Sequence, residues 1–325
     1  MDDYQRLVVA QFFEPMPNLS QKSCHQFVLH HIAPILLPNA TGKVDVQPSP
    51  FQGRMSYTAI LHTHSRSADH RIAVQFRSDK QDLFGVNEAS RIRGPIVPLV
   101  TYQGMCEGLF VYASPFAEGI PYISVLMSSE DFQLPLQRKM VTLMDLADLI
   151  TRGAERPLLY STLLYPTSLL LLREFVIRKL LPRLRDLAAL PVTLTHQDLT
   201  PFNYLIDDST GRVQAVLDWD GALYLPVGSN FHFMDSLFGF MTLSGWQDTE
   251  DRQELETAFY DRALTSLAAQ GFGGITKEQL ESQKAIGMLL YSVERLLKFK
   301  DERSEHYLDG YLGGLSLMNG FMFSH

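Results

Sequence analysis

Cysteine is nearly absent: Cys24 and Cys106 are the only two in 325 residues. Two thiols cannot build a disulfide framework or a cysteine-based zinc site, so both are expected to be buried and free. Long apolar runs are also missing. No segment approaches the roughly eighteen uninterrupted apolar residues of a membrane span, so a soluble chain with no membrane partner is expected. Basic charge is in short supply, with 28 Lys and Arg against 36 Asp and Glu and a net charge of −8. That balance argues against broad nucleic-acid binding, because phosphates reward clustered Lys and Arg. The opening MDDYQRLVVAQFFEPMP has neither a basic start nor a long apolar core nor a small-residue cleavage site. It does not read as a secretory signal, and the cytoplasm is the expected location. The lack of internal repeats and low-complexity tracts excludes solenoids and disordered scaffolds. No protein partner is evident.

What is present is ordinary globular composition, 46% hydrophobic and 20% charged, in a chain long enough for two domains or one domain of two lobes. Residues 44–112 alternate short apolar runs with turn chemistry, which predicts a small antiparallel sheet. SYTAILHTH and RIAVQFR flank a polar tip and suit a hairpin, and GLFVYASPF is a later β-rich run of the same sheet. Between them, DLFGVNEASRI is a candidate short helix carrying Glu88. After Gly119 the period becomes helical. Met140, Leu143, Met144, Ala147 and Ile150 recur at three- and four-residue steps, and Leu169 to Leu190, opened by Pro166, forms a second apolar-faced segment. Ile286, Leu289, Leu290, Val293, Leu296 and Leu297 make the stripe of an amphipathic helix. The expected class is therefore α+β, with a β-rich part over 1–112, a connection over 113–122 and a mostly helical part over 123–325.

One β element interrupts the helical part. NYLID, the turn DSTG and VQAVLD read as a hairpin with Gly211 in the turn. Asp198 and Asn203 lie just before its first strand and Asp218 closes its second, so pairing brings Asn203 and Asp218 to one edge. Two oxygen donors there suit Mg²⁺, which prefers hard ligands and keeps waters and substrate phosphates as the rest. Asp198, beside that metal, is placed to orient a hydroxyl and accept its proton.

HQDLTPFN followed by LDWDG resembles the His-x-Asp-x-x-x-x-Asn and Asp-Trp elements of the aminoglycoside phosphotransferase and choline kinase family, relatives of the protein kinases. FQGRMSYT, VQFRS and LPRLRDLAALPVTLTHQDL resemble the branch of that family common in filamentous fungi. The resemblance covers about residues 45–240. It implies a two-lobed protein-kinase-like fold, ATP and Mg²⁺ as cofactors, and a small-molecule hydroxyl as acceptor. A lone His-x-Asp-x4-Asn arises by chance in roughly one chain in a hundred of this length; the flanking strands, the turn and Asp218 supply the specificity. On this reading Asp198 is the base, Asn203 and Asp218 hold metal, and His196 is supporting through packing and hydrogen bonds.

The nucleotide-covering elements depart further from the family. FQGRMSYT stands where a phosphate-covering loop is expected, with Gly53 permitting backbone approach and Ser56 offering a hydroxyl, but it holds a single glycine and also suits a plain hairpin turn. The third strand lacks the usual Lys. Gln75 and Arg77 alternate onto one face, and Arg77 is the candidate replacement, with Glu88 as its expected partner. The resemblance further implies that backbone groups near Ser114 to Phe116 bind the adenine edge, with Val111, Tyr112 and Phe116 as apolar walls. Tyr224, Asn230, His232, Asp235 and Trp246 are candidates for an acceptor pocket or for ordinary core and rim. His62, His64 and His70, without acidic or Cys companions, read as solvated residues, not as a metal site.

The leading reading is a Mg·ATP-dependent phosphotransferase. Two others stay open: a pseudokinase that binds nucleotide or a protein partner without turnover, and the same fold turned to ATP-independent chemistry on a metabolite.

Overall fold

A computed structural model describes residues 3–38, 40, 42–53, 55–64, 70–128, 134–155, 190–242 and 245–298. The chain divides into two compact units, 1–118 and 119–325.

The first unit opens with helices that the sequence pattern had not suggested: α1 (Asp3–Phe13), α2 (Gln21–Phe27), a π-helical turn over Val28–Ile32, and α3 (Ala33–Leu36). Ser20 caps α2 by accepting the Ser23 N–H at 3.2 Å. Strands β1 (Lys43–Pro48), β2 (Ser56–His64) and β3 (His70–Arg77) follow, then α4 (Leu83–Arg93), β4 (Thr101–Cys106) and β5 (Leu109–Pro115). They form one antiparallel sheet in the order β1-β2-β3-β5-β4. The expected hairpin is present, with Thr63 opposite His70 and Ser56 opposite Arg77.

Period-2 alternation gives this sheet two unlike faces. Tyr57, Ala59, Leu61, Val74, Phe76 and Val111 are buried in one core with Val9, Phe12, Cys24, Val28 and Ile32 of the preceding helices. A one-residue slip would turn Tyr57, Leu61, Val74 and Phe76 out of that core at about 2 kcal/mol each, which fixes the register. The alternate positions Ser56, Thr58, Gln75 and Arg77 therefore share the opposite face. Cys24 and Cys106 are both buried and free. Burial, with Cys106 and Glu107 nearby, pushes the Cys24 thiol up to about 12.

The second unit contains β6 (Ile120–Pro121), α5 (Tyr122–Ser128), α6 (Leu136–Thr151), β7 (Val192–Thr195), β8 (Tyr204–Ile206), β9 (Val213–Val216) and β10 (Leu223–Pro226). Beyond a 3-10 turn over Phe231–Met234 lie α7 (Asp235–Phe238), β11 (Gly239–Thr242), β12 (Gly245–Asp248), α8 (Arg252–Ala269) and α9 (Lys277–Lys298). In α6, Leu143, Ala147 and Ile150 are buried as the periodicity predicts, whereas Met144 is exposed and Leu146 takes its place in the core. Helix α9 carries the predicted C-terminal stripe, of which Ile286 is buried. The side chains of Leu289, Leu290, Val293, Leu296 and Leu297, and the predicted segment from Pro166 to residue 189, lie outside the described residues. Among the described residues no helix is long and apolar enough to cross a membrane.

The predicted β8–β9 hairpin forms, with Tyr204 opposite Val216 and a shift of register between Leu205 and Ile206. Its turn is built by Asp207, whose Oδ1 accepts from Ser209 Oγ at 2.5 Å and from the Thr210 N–H at 2.8 Å. These bonds hold the Asp207 carboxyl below its usual range. Gly211 has φ +76°, and a Cβ there would stand 2.5 Å from the carbonyl oxygen of Arg138 on α6. Glycine is required at that position both for conformation and for space.

Candidate active site

In the second unit the loop from β7 to β8 is tied by hydrogen bonds between the residues singled out in the sequence. His196 is 1% exposed. Its Nδ1 accepts the backbone N–H of Asp198 at 3.0 Å and its Nε2 donates to the carbonyl of Leu217 at 2.7 Å. This network assigns the neutral tautomer with the proton on Nε2. The ring also packs edge-on against Trp219, centroids 4.7 Å apart. His196 thus joins the Asp198 loop to the residue preceding Asp218.

Asn203 closes the loop. Its Nδ2 donates to the carbonyl of Asp198 at 2.7 Å and to Oδ2 of the same residue at 3.1 Å. With the nitrogen so engaged, Oδ1 is the atom through which Asn203 would hold a cation. The Asn203 carbonyl accepts the Leu217 N–H at 2.7 Å, one further rung beyond the paired strands. The hairpin therefore brings Asn203 and the start of Asp218 to one edge, as the pairing predicts.

Asp218 has φ +57°, in the left-handed region that Asp tolerates better than most residues. The chain turns sharply there. Trp219, 1% exposed, folds inward and donates its Nε1–H to the Val216 carbonyl at 3.2 Å, while Asp218 remains exposed. A strained backbone that turns a carboxylate out to solvent beside a buried anchor is typical of functional positions.

One contact was not foreseen. Tyr291 on α9 donates its hydroxyl to Oδ1 of Asp198 at 3.4 Å, a long bond. The Tyr291 ring lies 5.0 Å from Phe233 and 5.3 Å from His232. Helix α9 is fastened against this region: Gln283 donates to Ser229 Oγ at 2.8 Å and Lys284 to Asp235 Oδ1 at 2.6 Å. At Gly287 a Cβ would stand 1.6 Å from the Ser229 carbonyl oxygen, so only glycine permits this approach. Of the residues suggested for an acceptor pocket, Asn230 and His232 are buried and Asp235 is paired with Lys284. Burial, and then the charge of Lys284, hold His232 down at about 3, so it is neutral at physiological pH. Trp246 has no described side chain.

In the first unit, Gln75 donates its Nε2 to Ser56 Oγ at 2.9 Å, joining two candidates across β2 and β3. Gly53 lies close to them, since a Cβ there would stand 3.5 Å from Ser56 Oγ. Arg77 ends β3 on the same face. Glu88 lies on α4 as expected, and its carboxylate receives two bonds from Arg91, at 2.9 and 2.6 Å. Ser114 pairs with Ala73 in the sheet. The Phe116 N–H is already engaged by the Arg71 carbonyl at 3.1 Å, and its ring lies 4.4 Å from the Arg71 guanidinium. Tyr112 is buried, its hydroxyl accepting the Gln81 N–H at 2.8 Å.

The donors at the hairpin edge, an exposed carboxylate and an amide oxygen, fit a hard cation that keeps phosphate and water ligands. Among the described residues no three His, Cys, Asp or Glu cluster as a self-sufficient metal cage.

An antiparallel five-stranded first unit, followed by a mostly helical second unit, defines an α+β protein of the kinase-like fold. Residues 133–272, which hold His196, Asp198, Asn203 and Asp218, match the family described as "Phosphotransferase enzyme family". The chain is similar in structure to a candidate aminoglycoside phosphotransferase from Ralstonia eutropha JMP134, at TM-score 0.52 and 14% identity over 88% of this chain and 93% of that one. It is also similar to a choline kinase from Cryptosporidium parvum Iowa II, at TM-score 0.50 and 12% identity over 93% and 96% of the two chains. At such identities the likeness concerns the fold.

Proposed function

We propose that the chain is an ATP- and Mg²⁺-dependent phosphotransferase that moves the γ-phosphoryl group to a hydroxyl of a small molecule in the cytoplasm. The observation that carries this reading is the linked set at the hairpin edge, Asp198 bonded to Asn203 with Asp218 at the end of the neighbouring strand. Asp198 orients the acceptor hydroxyl and takes its proton on a carboxylate oxygen. Asn203 Oδ1 and the Asp218 carboxylate hold the metal, which when bound neutralises phosphate charge. His196 keeps the two acids in fixed relation. The first unit supplies the nucleotide-covering groups, Gly53, Ser56, Gln75 and Arg77, with Glu88 of α4 as a further member of the set and the stretch Ser114 to Phe116 for the base. The work asked of these residues is mostly positioning and electrostatic stabilisation. The match of residues 133–272 to the phosphotransferase family supports the reaction class. The resemblance of FQGRMSYT and VQFRS to fungal relatives supports a role in specialised metabolism or detoxification.

A second reading, nucleotide binding without turnover, draws on β3, where Gln75 and Arg77 stand and no Lys is present. Calorimetric titration with ATP, with and without Mg²⁺, separates the possibilities. Wild type is expected to show saturable, Mg²⁺-dependent binding that Asp218→Asn weakens. Asp198→Asn is expected to keep that binding while losing transfer to any hydroxylated metabolite the wild type accepts. Binding with no transfer to a broad panel would favour the second reading. No binding by the wild type would overturn both, in favour of a pseudokinase that binds a protein partner or of ATP-independent chemistry on a metabolite.

A further inference from the structure

The stretch between β1 and β2 holds a single glycine where a loop relying on backbone freedom would hold several. Gln52 gives it order by another route. Its side-chain amide acts as an extra rung of the ladder: Oε1 accepts the Thr58 N–H at 2.9 Å, and Nε2 donates to the carbonyls of Thr58 at 2.8 Å and Ser49 at 2.9 Å. The Gln52 backbone N–H is held from elsewhere. It donates to Oε1 of Gln5 on α1 at 2.6 Å, a contact between residues 47 apart in sequence. Helix α1 is itself anchored by Val9 and Phe12 in the core beneath the sheet. The chain of support runs from core to α1, from Gln5 to Gln52, and from Gln52 to its neighbour Gly53 and to the start of β2, where Ser56 stands.

We propose that Gln5 is a positioning residue for nucleotide binding: from α1 it keeps residues 49–53 in the single conformation that receives the phosphates of a nucleoside triphosphate. The inference rests on the phosphotransferase reading above. A loop ordered in advance requires little further ordering when the ligand arrives, whereas a loop released at Gln52 must be ordered at the expense of affinity. The acceptor atom on Gln5 matters here, not the bulk of the side chain, and this sets the role apart from packing.

Two variants of the full-length chain test it. Gln5→Met keeps length and helix preference but has no acceptor oxygen; Gln5→Glu keeps an oxygen at the same reach. Each is titrated with Mg·ATP at physiological ionic strength, and exchange of the Gln52 amide hydrogen is followed without nucleotide. The expected result is five- to tenfold weaker Mg·ATP binding and faster Gln52 exchange in Gln5→Met, near-wild-type values in Gln5→Glu, and a melting temperature lowered by only a few degrees in Gln5→Met, where one half-buried N–H loses its acceptor. Unchanged affinity in Gln5→Met beside a binding wild type would overturn the inference and leave the phosphotransferase reading standing. Equal losses in both variants, with lowered melting temperatures, would mark a packing role and also overturn it. Absence of Mg·ATP binding by the wild type would instead remove the reading on which the inference stands.

Discussion

Replacing His196 by Leu removes a bridge while keeping an apolar side chain of similar reach. Two bonds disappear, one from the Asp198 N–H at 3.0 Å and one to the Leu217 carbonyl at 2.7 Å. An unmatched polar group costs about 1–3 kcal/mol when fully buried. Asp198 and Leu217 are only half-buried, so water can reach part of what is left and the lower half of that range applies to each. The edge-on contact with Trp219 adds roughly 0.5–1.5 kcal/mol. The sum is about 2.5–5.5 kcal/mol, which corresponds to a fall of roughly 5–20 °C in the melting transition of the second unit.

The functional loss should exceed what that destabilisation explains at 25 °C, where most molecules remain folded. His196 holds the loop bearing Asp198, the proposed base, to the residue before Asp218, a proposed metal ligand, so its removal loosens both together. Calorimetry on His196→Leu is expected to show Mg²⁺-dependent ATP binding weakened at least about tenfold, or roughly 1.4 kcal/mol. A melting temperature within about 2 °C of wild type would refute the energetic argument. A lowered melting temperature with unchanged Mg²⁺ dependence would refute the positioning argument alone, leaving His196 a packing residue.

Two further predictions concern the frame around the site. Gly211→Ala places a Cβ 2.5 Å from the Arg138 carbonyl oxygen at φ +76°, and should destabilise the second unit by about 2 kcal/mol or more, read as a lowered urea midpoint; a neutral result would mean that the turn and α6 separate freely. His232 is held at about 3 in the folded chain against 6.5 for the ordinary imidazole, so unfolding takes up a proton between those values. Stability is then full above pH 6.5 and falls by roughly 1.4 kcal/mol per pH unit below it, until the folded value is reached. His232→Phe should flatten the change in urea midpoint between pH 7 and pH 5, and equal slopes in the two proteins would refute the assignment.

The parts of this architecture that could be read from sequence are those written in short-range patterns. The β8–β9 hairpin announces itself by two apolar runs around Gly211, and once the strands pair, Asn203 and Asp218 must meet at one edge. The β2–β3 hairpin follows from the alternation of SYTAILHTH and RIAVQFR, and the short helix read from DLFGVNEASRI is α4, which Asp82 caps in the structure. The helices of residues 3–36 were missed because their burial depends on a sheet that begins only at Lys43. Val9 and Phe12 form a stripe too brief to separate from a strand or a loop before that sheet exists.

The contacts that complete the site are long-range, and this is a physical reason for their absence from any local pattern. Tyr291 reaches Asp198 across 93 residues, Gln5 reaches Gln52 across 47, and neither motif contains a hint of the other partner. Each depends on docking: α9 approaches Ser229 only because Gly287 has no side chain, and α1 faces the loop only because Val9 and Phe12 are buried. The proposed chemistry is thus encoded in a few adjacent residues, while its alignment is encoded in surfaces that meet only after folding. Substitutions on those surfaces, at Gln5 or Gly287, should alter the site without touching any residue of its motif, and a search limited to the motif would pass over them.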